Sequence, residues 1–146
     1  MSDLNKFITA QEHFYQTALQ EIMDGKKVSH WMWFIFPQIA GLGRSPMAKM
    51  YAIESKDEAK EYLEHEVLGA RLREISKTLL EHKDKQIVSI LGHTDAMKLR
   101  SSMTLFDAVS PDDVFSEVLA AFYDSKRDRL TLDIIGSCYP TCQLSK

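Results

Sequence analysis

Apolar positions along this chain recur at spacings of three and four almost from end to end, the period of an α-helix. Leu4, Phe7, Ile8, Tyr15, Ala18, Leu19 and Ile22 form one such stripe behind Asp3, which fits an N-cap. Gly25 stands where a helix C-terminus favours glycine. Ser55 and Glu58 have capping-box spacing and open a helix expected to run through Tyr62. Val67, Leu68, Leu72, Ile75, Leu79 and Leu80 mark a longer helix from Glu66 to about His82. Ile87, Val88, Ile90 and Leu91 mark a short one stopped by Gly92. Thr94 or Asp95 can cap a helix whose core positions are Ala96, Leu99, Met103 and Phe106. Ser110-Pro111-Asp112-Asp113 reads as a further start, with a cap, a proline in the first turn and acids at the positive end of the dipole. Val114, Phe115, Val118, Leu119 and Phe122 supply its stripe.

No stretch shows sustained strand alternation, and no Asn-Gly turn joins two apolar runs. Trp31–Phe36 alone fits either a buried strand or a short helix; Ser29 as a cap and Pro37 as a stop favour the helix. The pattern predicts an all-α fold, one multihelical globular domain of about six to eight helices with a long aromatic and glycine-containing connecting segment. That domain is expected over residues 1–136, and residues 137–146 read as a flexible tail.

Composition narrows the class without changing it. A chain of 146 residues, 45% hydrophobic and 27% charged, can bury a substantial core as one domain. Its net charge of −3 gives no long-range attraction to nucleic acid or acidic membranes, so neither is expected as a partner. The longest apolar run, Trp31 to Pro37, is far too short to span a bilayer. The opening MSDLNKF lacks a basic stretch followed by an apolar one, so a cytoplasmic protein is expected. Cys138 and Cys142 fall in the tail as two reduced thiols, and the five histidines show no close pairing. No metal and no cofactor are expected.

Chemistry concentrates in two segments. The first is Ser29–Tyr51, which holds both tryptophans, Phe34, Phe36, two glycines and Arg44. Within it, Gly41-Leu42-Gly43-Arg44-Ser45-Pro46 sets flexible backbone ahead of a helix expected from Ser45 to about Ile53. Free N–H groups there, with an arginine fork, suit an anion; a capped turn with a surface arginine is the plainer reading. Trp31, Phe34 and Phe36 fit a core. Trp33 fits either a core position or a stacking wall for a planar ring, with His30, Gln38 and Tyr51 beside it.

The second segment, Lys98 to Phe106, puts Ser101, Ser102 and Thr104 in the middle of a helix. These are poor helix formers in an interior position, and a local rule broken there marks either a site or a solvated face. Lys98 and Arg100 with three hydroxyls suit an anionic or hydroxyl-rich ligand. Together the two segments point to a small anionic or nucleotide-like ligand held between residues 29–51 and the 95–107 helix. The alternative is a protein-docking module anchored by Trp, Met and Arg.

DLNKFITAQ, SHWMWFIFPQIAGLGRSPMAKMYAI, AKEYLEHEVLGARL and KLRSSMTLF together identify a resemblance. The chain resembles the domain of unknown function 1810 family, sometimes labelled calpastatin, over roughly its first 135 residues. The resemblance implies a single, mainly helical domain and carries no established activity. It departs from the family pattern at Glu66 and Ala70, where prolines are expected. A calpastatin-type inhibitor would be a long disordered chain of repeats, which this periodic sequence is not. A second, pattern-level likeness is to the YbiA-like helical proteins, which are similar to N-glycosidases acting on nucleotide-derived or ADP-ribosyl substrates. It implies N-glycosidase-like activity, for which Glu58, Glu61 and Asp107 are the available carboxylates.

Overall fold

The computed structural model describes residues 3–136; the expected tail, with both cysteines, lies outside them. Among the described residues the chain forms nine α-helices and no strand. They are α1 (Asn5–Met23), α2 (Met32–Ile35), α3 (Pro46–Met50), α4 (Lys56–Glu64), α5 (Glu66–Leu80), α6 (Ile87–Leu91), α7 (His93–Val109), α8 (Val114–Tyr123) and α9 (Arg129–Ile135).

The middle of the fold is α7, where every residue from Ser101 to Asp107 is buried. It packs against α4, α6, α8 and α9, while α5 joins α1, α4 and α8. Aromatic rings run through this core in edge and tilted contacts: Phe7 with Tyr62 (5.2 Å), Tyr62 with Phe106 (5.4 Å), and Phe106 with Phe115 (5.8 Å). Offset geometries of this kind suit the ring quadrupoles. Gln11, 2% exposed, crosses the interior and donates from Nε2 to the Phe34 carbonyl (2.8 Å) and Tyr62 Oη (2.9 Å).

Caps explain most helix starts, some of them not the expected ones. Ser55 Oγ accepts from Glu58 N–H (3.1 Å), and Glu58 Oε1 accepts from Glu54 N–H (2.8 Å), a capping box reaching one residue further back than usual. His65 caps α5 through Nδ1, accepting from Val67 N–H (3.1 Å) and Leu68 N–H (3.3 Å). Glu66 and Ala70 therefore lie inside α5. Neither Thr94 nor Asp95 caps α7: the helix starts earlier, at His93, after Gly92 at φ 87°. Asp95 is drawn instead to Lys27, at 2.9 Å. At the next start, Ser110 and Pro111 lie outside the helix and Asp113 is the cap, accepting from Val114 N–H at 2.7 Å. Proline disfavours helical backbone in the residue before it, so Ser110 ends α7 rather than opening α8. Asp3 is likewise one residue off, accepting from Asn5 N–H (3.1 Å) while Leu4 holds the cap position.

The aromatic segment folds as the helix alternative, α2, with Met32, Phe34 and Ile35 buried. Ser29 does not cap it. Ser29 Oγ donates to Glu21 Oε2 (2.6 Å), and Glu21 Oε1 also accepts from the N–H of Val28 (2.8 Å), the N–H of Ser29 (2.9 Å) and Trp31 Nε1 (2.9 Å). One carboxylate of α1 thus anchors the chain as it enters α2. After α2, Ile39 and Ile53 form an isolated parallel bridge, with Ala40 N–H donating to Ile53 O and Ile53 N–H to Gln38 O, both at 2.8 Å. That pairing takes up Ala52 and Ile53, so α3 stops at Met50 rather than continuing to Ile53. It also pinches residues 40–52 into a loop closed at its base.

Candidate functional site

The pinched loop makes the first wall of the site. Gly41 has φ 104°, a conformation open to glycine, and Gly43 lies so close to α3 that an added Cβ would stand 2.4 Å from Ala48 Cβ. The loop therefore folds flat onto its own helix. Between it and α2 lies a cavity of about 200 Å³, with Trp33 and Tyr51 as aromatic walls and Gln38, Lys49 and Glu54 as polar lining. Tyr51 is fixed from behind by Phe34 (5.2 Å) and Phe7 (5.8 Å).

A second cavity of about 300 Å³ adjoins the first, sharing Gln38 and Gly43 with it. Its far wall is α7 and the start of α9: Thr94, Met97, Lys98, Arg100 and Ser101, with Asp128 and Leu130. Lys98 stands at the seam. Its ammonium is 5.3 Å from the Trp33 ring centre and 3.7 Å from Asp95 Oδ1, while Asp95 is itself held by Lys27 at 2.9 Å. Arg100 donates from Nε to the Lys126 carbonyl (2.8 Å) and from Nη2 to the Arg127 carbonyl (2.9 Å). Those acceptors are neutral, so two cations against one lining carboxylate, Asp128, leave this cavity positive.

The expected site residues separate accordingly. Trp33, Gln38 and Tyr51 line the first cavity, and Lys98, Arg100 and Ser101 line the second together with Gln38. Arg44 and His30 are exposed and line neither. Ser45 serves α3, its hydroxyl accepting from Ala48 N–H at 3.1 Å. Ser102 and Thr104 are fully buried and face neither cavity.

The hydroxyl run of α7 serves the protein's own chain. Thr104 Oγ1 donates to the Arg100 carbonyl (2.8 Å) and accepts from Asp128 N–H (2.9 Å). Ser101 Oγ donates to Asp128 Oδ2 (3.1 Å), the carboxylate oxygen that also caps α9 through Thr131 N–H (3.1 Å). Asp107, 3% exposed, accepts from Arg127 Nε (3.1 Å) and Nη2 (3.0 Å). The polar face of α7 is thus a docking strip for residues 126–131. Ser102 Oγ has no hydrogen-bond partner, alone in this among the buried side-chain polar atoms of the described residues.

Three charged lining residues carried no sequence signal. Lys49 sits on a short helix with no stripe to orient it, Glu54 precedes a strong cap and is masked by it, and Asp128 caps a helix the apolar pattern did not reveal. Trp31, by contrast, is 0% exposed and belongs to the core with Phe34 and Phe36. Of the three available carboxylates, Glu58 is committed to the capping box and Asp107 to Arg127. Glu61 is exposed and lines neither cavity.

Fold and site define a single-domain helical protein with a two-part cleft, aromatic at one end and cationic at the other. The chain belongs to the family described as "Protein of unknown function (DUF1810)", whose model matches residues 1–135. It is also similar to a conserved hypothetical protein of Mycobacterium tuberculosis known from a crystal structure. The two share 41% identity and superpose with a TM-score of 0.90 over 92% of this chain and 96% of that one. No curated protein matches the chain. Among the described residues, no helix is long and apolar enough to cross a membrane.

Proposed function

We propose that this chain binds a small anionic, nucleotide-like ligand in the cleft between residues 29–51 and α7. The observation that carries this reading is the seam: an aromatic compartment and a positive one share Gln38 and Gly43, and Lys98 of the positive one reaches to 5.3 Å from the Trp33 ring of the other. A planar ring against Trp33 and Tyr51 would place an attached anion beside Lys98 and Arg100. The close approach of loop to helix at Gly43 keeps backbone groups at the surface of the cleft. Against a protein-docking surface stands the placing of both tryptophans, since Trp31 is fully buried and Trp33 lines the first cavity.

The reading extends to N-glycosidase-like turnover through one carboxylate, Glu54, which lines the ring-sized compartment. A carboxylate there would stabilise the positive charge that develops on a sugar as its C–N bond breaks.

The test is a thermal-shift and calorimetric screen at fixed salt against nucleotides, ADP-ribose, sugar phosphates and inorganic phosphate. A ligand at a hundred times its dissociation constant adds about 2.7 kcal/mol to stability. A nucleotide is expected to bind, and Lys98→Met to weaken it about tenfold while costing under about 1 kcal/mol of stability. Equal stabilisation by inorganic phosphate removes the aromatic half of the reading. No binding by any nucleotide removes all of it.

A further inference from the structure

The cleft does not end at Arg100. On the other side of α7 lies a further cavity of about 260 Å³, which shares Met97 and Arg100 with the cationic compartment. The two lie on adjacent stripes of one helix, and Met97 and Arg100, three residues apart, form the ridge between them. This third compartment is apolar and aromatic, with Val88, Phe122 and Tyr123 in its wall and His93 at its edge. Val88 and Met97 are 47% and 61% exposed, so the compartment is open to solvent. Tyr123 is held in place by donating its hydroxyl to the Ala96 carbonyl at 2.5 Å.

Arg100 decides how the compartments relate. Its Nε and one Nη2 hydrogen are given to the carbonyls of residues 126 and 127, which fixes the guanidinium on the ridge. The Nη1 hydrogens make no hydrogen bond to the described residues. A fixed cation with donors to spare, with the cationic hollow on one side and an apolar, aromatic one on the other, fits an anionic linker better than a terminal phosphate. A mononucleotide would fill the aromatic and cationic compartments and leave the third empty.

We infer that the cleft takes a two-ended ligand: two planar rings joined through a diphosphate-type linker that lies across Arg100. This rests on the nucleotide-binding reading above and names the ligand class for that same site. The cavities of about 200, 300 and 260 Å³ lie together within the range of sites that enclose ligands of this size.

The experiment compares AMP with diadenosine diphosphate, and GMP with its diguanosine counterpart, by titration calorimetry at one salt concentration. Stacking a second base is worth about tenfold or more in affinity, so the dinucleoside member of a binding pair is expected to be tighter by that factor. Val88→Glu replaces an exposed apolar wall residue of the third compartment with a charge. It is expected to erase the preference, leaving each pair equal, while Val88→Ile keeps the preference. Both members of a pair carry a similar net charge near neutral pH, so their ratio cancels the variant's general electrostatic effect. Equal affinities in the unmodified protein, or a preference that survives Val88→Glu, overturns the inference and leaves mononucleotide binding standing. Failure of all four nucleotides to bind overturns the nucleotide reading and the inference with it.

Discussion

Glu21 ties α1 to the entry of α2, and the strength of that tie can be read from pH. Burial pushes its carboxyl up, but hydrogen bonds from Ser29, Val28 and Trp31 outweigh this and hold it down at about 2, against an ordinary 4.5. Each pH unit of such a shift is worth about 1.4 kcal/mol, which makes the carboxylate form worth about 3 kcal/mol at neutral pH as an upper figure. Partial exposure of the side chain lowers this to about 2 kcal/mol. The sign follows from a depressed carboxyl: the contribution is whole above pH 4.5 and is lost as pH falls through 2. Glu21→Gln keeps the shape but substitutes an amide, which can no longer accept at both oxygens. Urea unfolding of the two proteins at pH 7, 5, 3.5 and 2.5 measures the difference directly. Glu21→Gln is expected to be less stable by about 2 kcal/mol at pH 7 and 5, with the gap narrowing to below about 1 kcal/mol at pH 2.5. Asp113, also held below the usual carboxylate range, titrates in both proteins and cancels in the difference. A gap that stays constant from pH 7 to 2.5 would refute the assignment of this stability to the Glu21 charge.

Two further substitutions separate packing from site chemistry. In Gly69→Ala the better helix propensity of alanine, about 1 kcal/mol, meets a Cβ placed 2.1 Å from the Leu63 carbonyl oxygen; the clash wins, and urea melts should show a net loss of about 2–3 kcal/mol as α4 and α5 move apart. Arg100→Ala removes two charged hydrogen bonds to the 126–127 carbonyls and is expected to cost about 2 kcal/mol, whereas exposed Arg44→Ala should stay within about 0.5 kcal/mol; equal melting temperatures for the two would show that Arg100 does not hold that segment.

The helices were legible because their burial is one-sided. Stripes such as Leu68, Leu72, Ile75 and Leu79 all reach the core, and the Ser55–Glu58 spacing made the cap it promised. Two of the starts that shifted did so under tertiary influence: Asp95 was drawn to Lys27, and Ser29 to Glu21, across distances the local sequence does not contain. α9 was not legible at all. Only Thr131 is buried in it, and Leu130 and Ile134 are exposed, so it has no apolar stripe to read. It is held largely by polar groups at its start, with half-buried Ile135 packed against the core at its end.

That polar attachment also explains why α7 read as a binding helix. A ligand and a stretch of backbone offer a helix the same things, carbonyl oxygens, N–H groups and carboxylates, so hydroxyls and arginines chosen for one look like those chosen for the other. In α7 depth separates the side chains that hold the chain from those that line the cleft. Thr104 and Asp107 lie deep and serve residues 127–128, while Lys98 lies at the rim and lines the cleft. Arg100 and Ser101 stand between, each bonded to residues 126–128 and each lining the cleft. The segment that α7 docks is therefore the segment that closes the second cavity, through Asp128 and Leu130. Weakening that docking strip would be expected to loosen the site before it unfolds the core, because few of the apolar contacts that stabilise the domain run through α9.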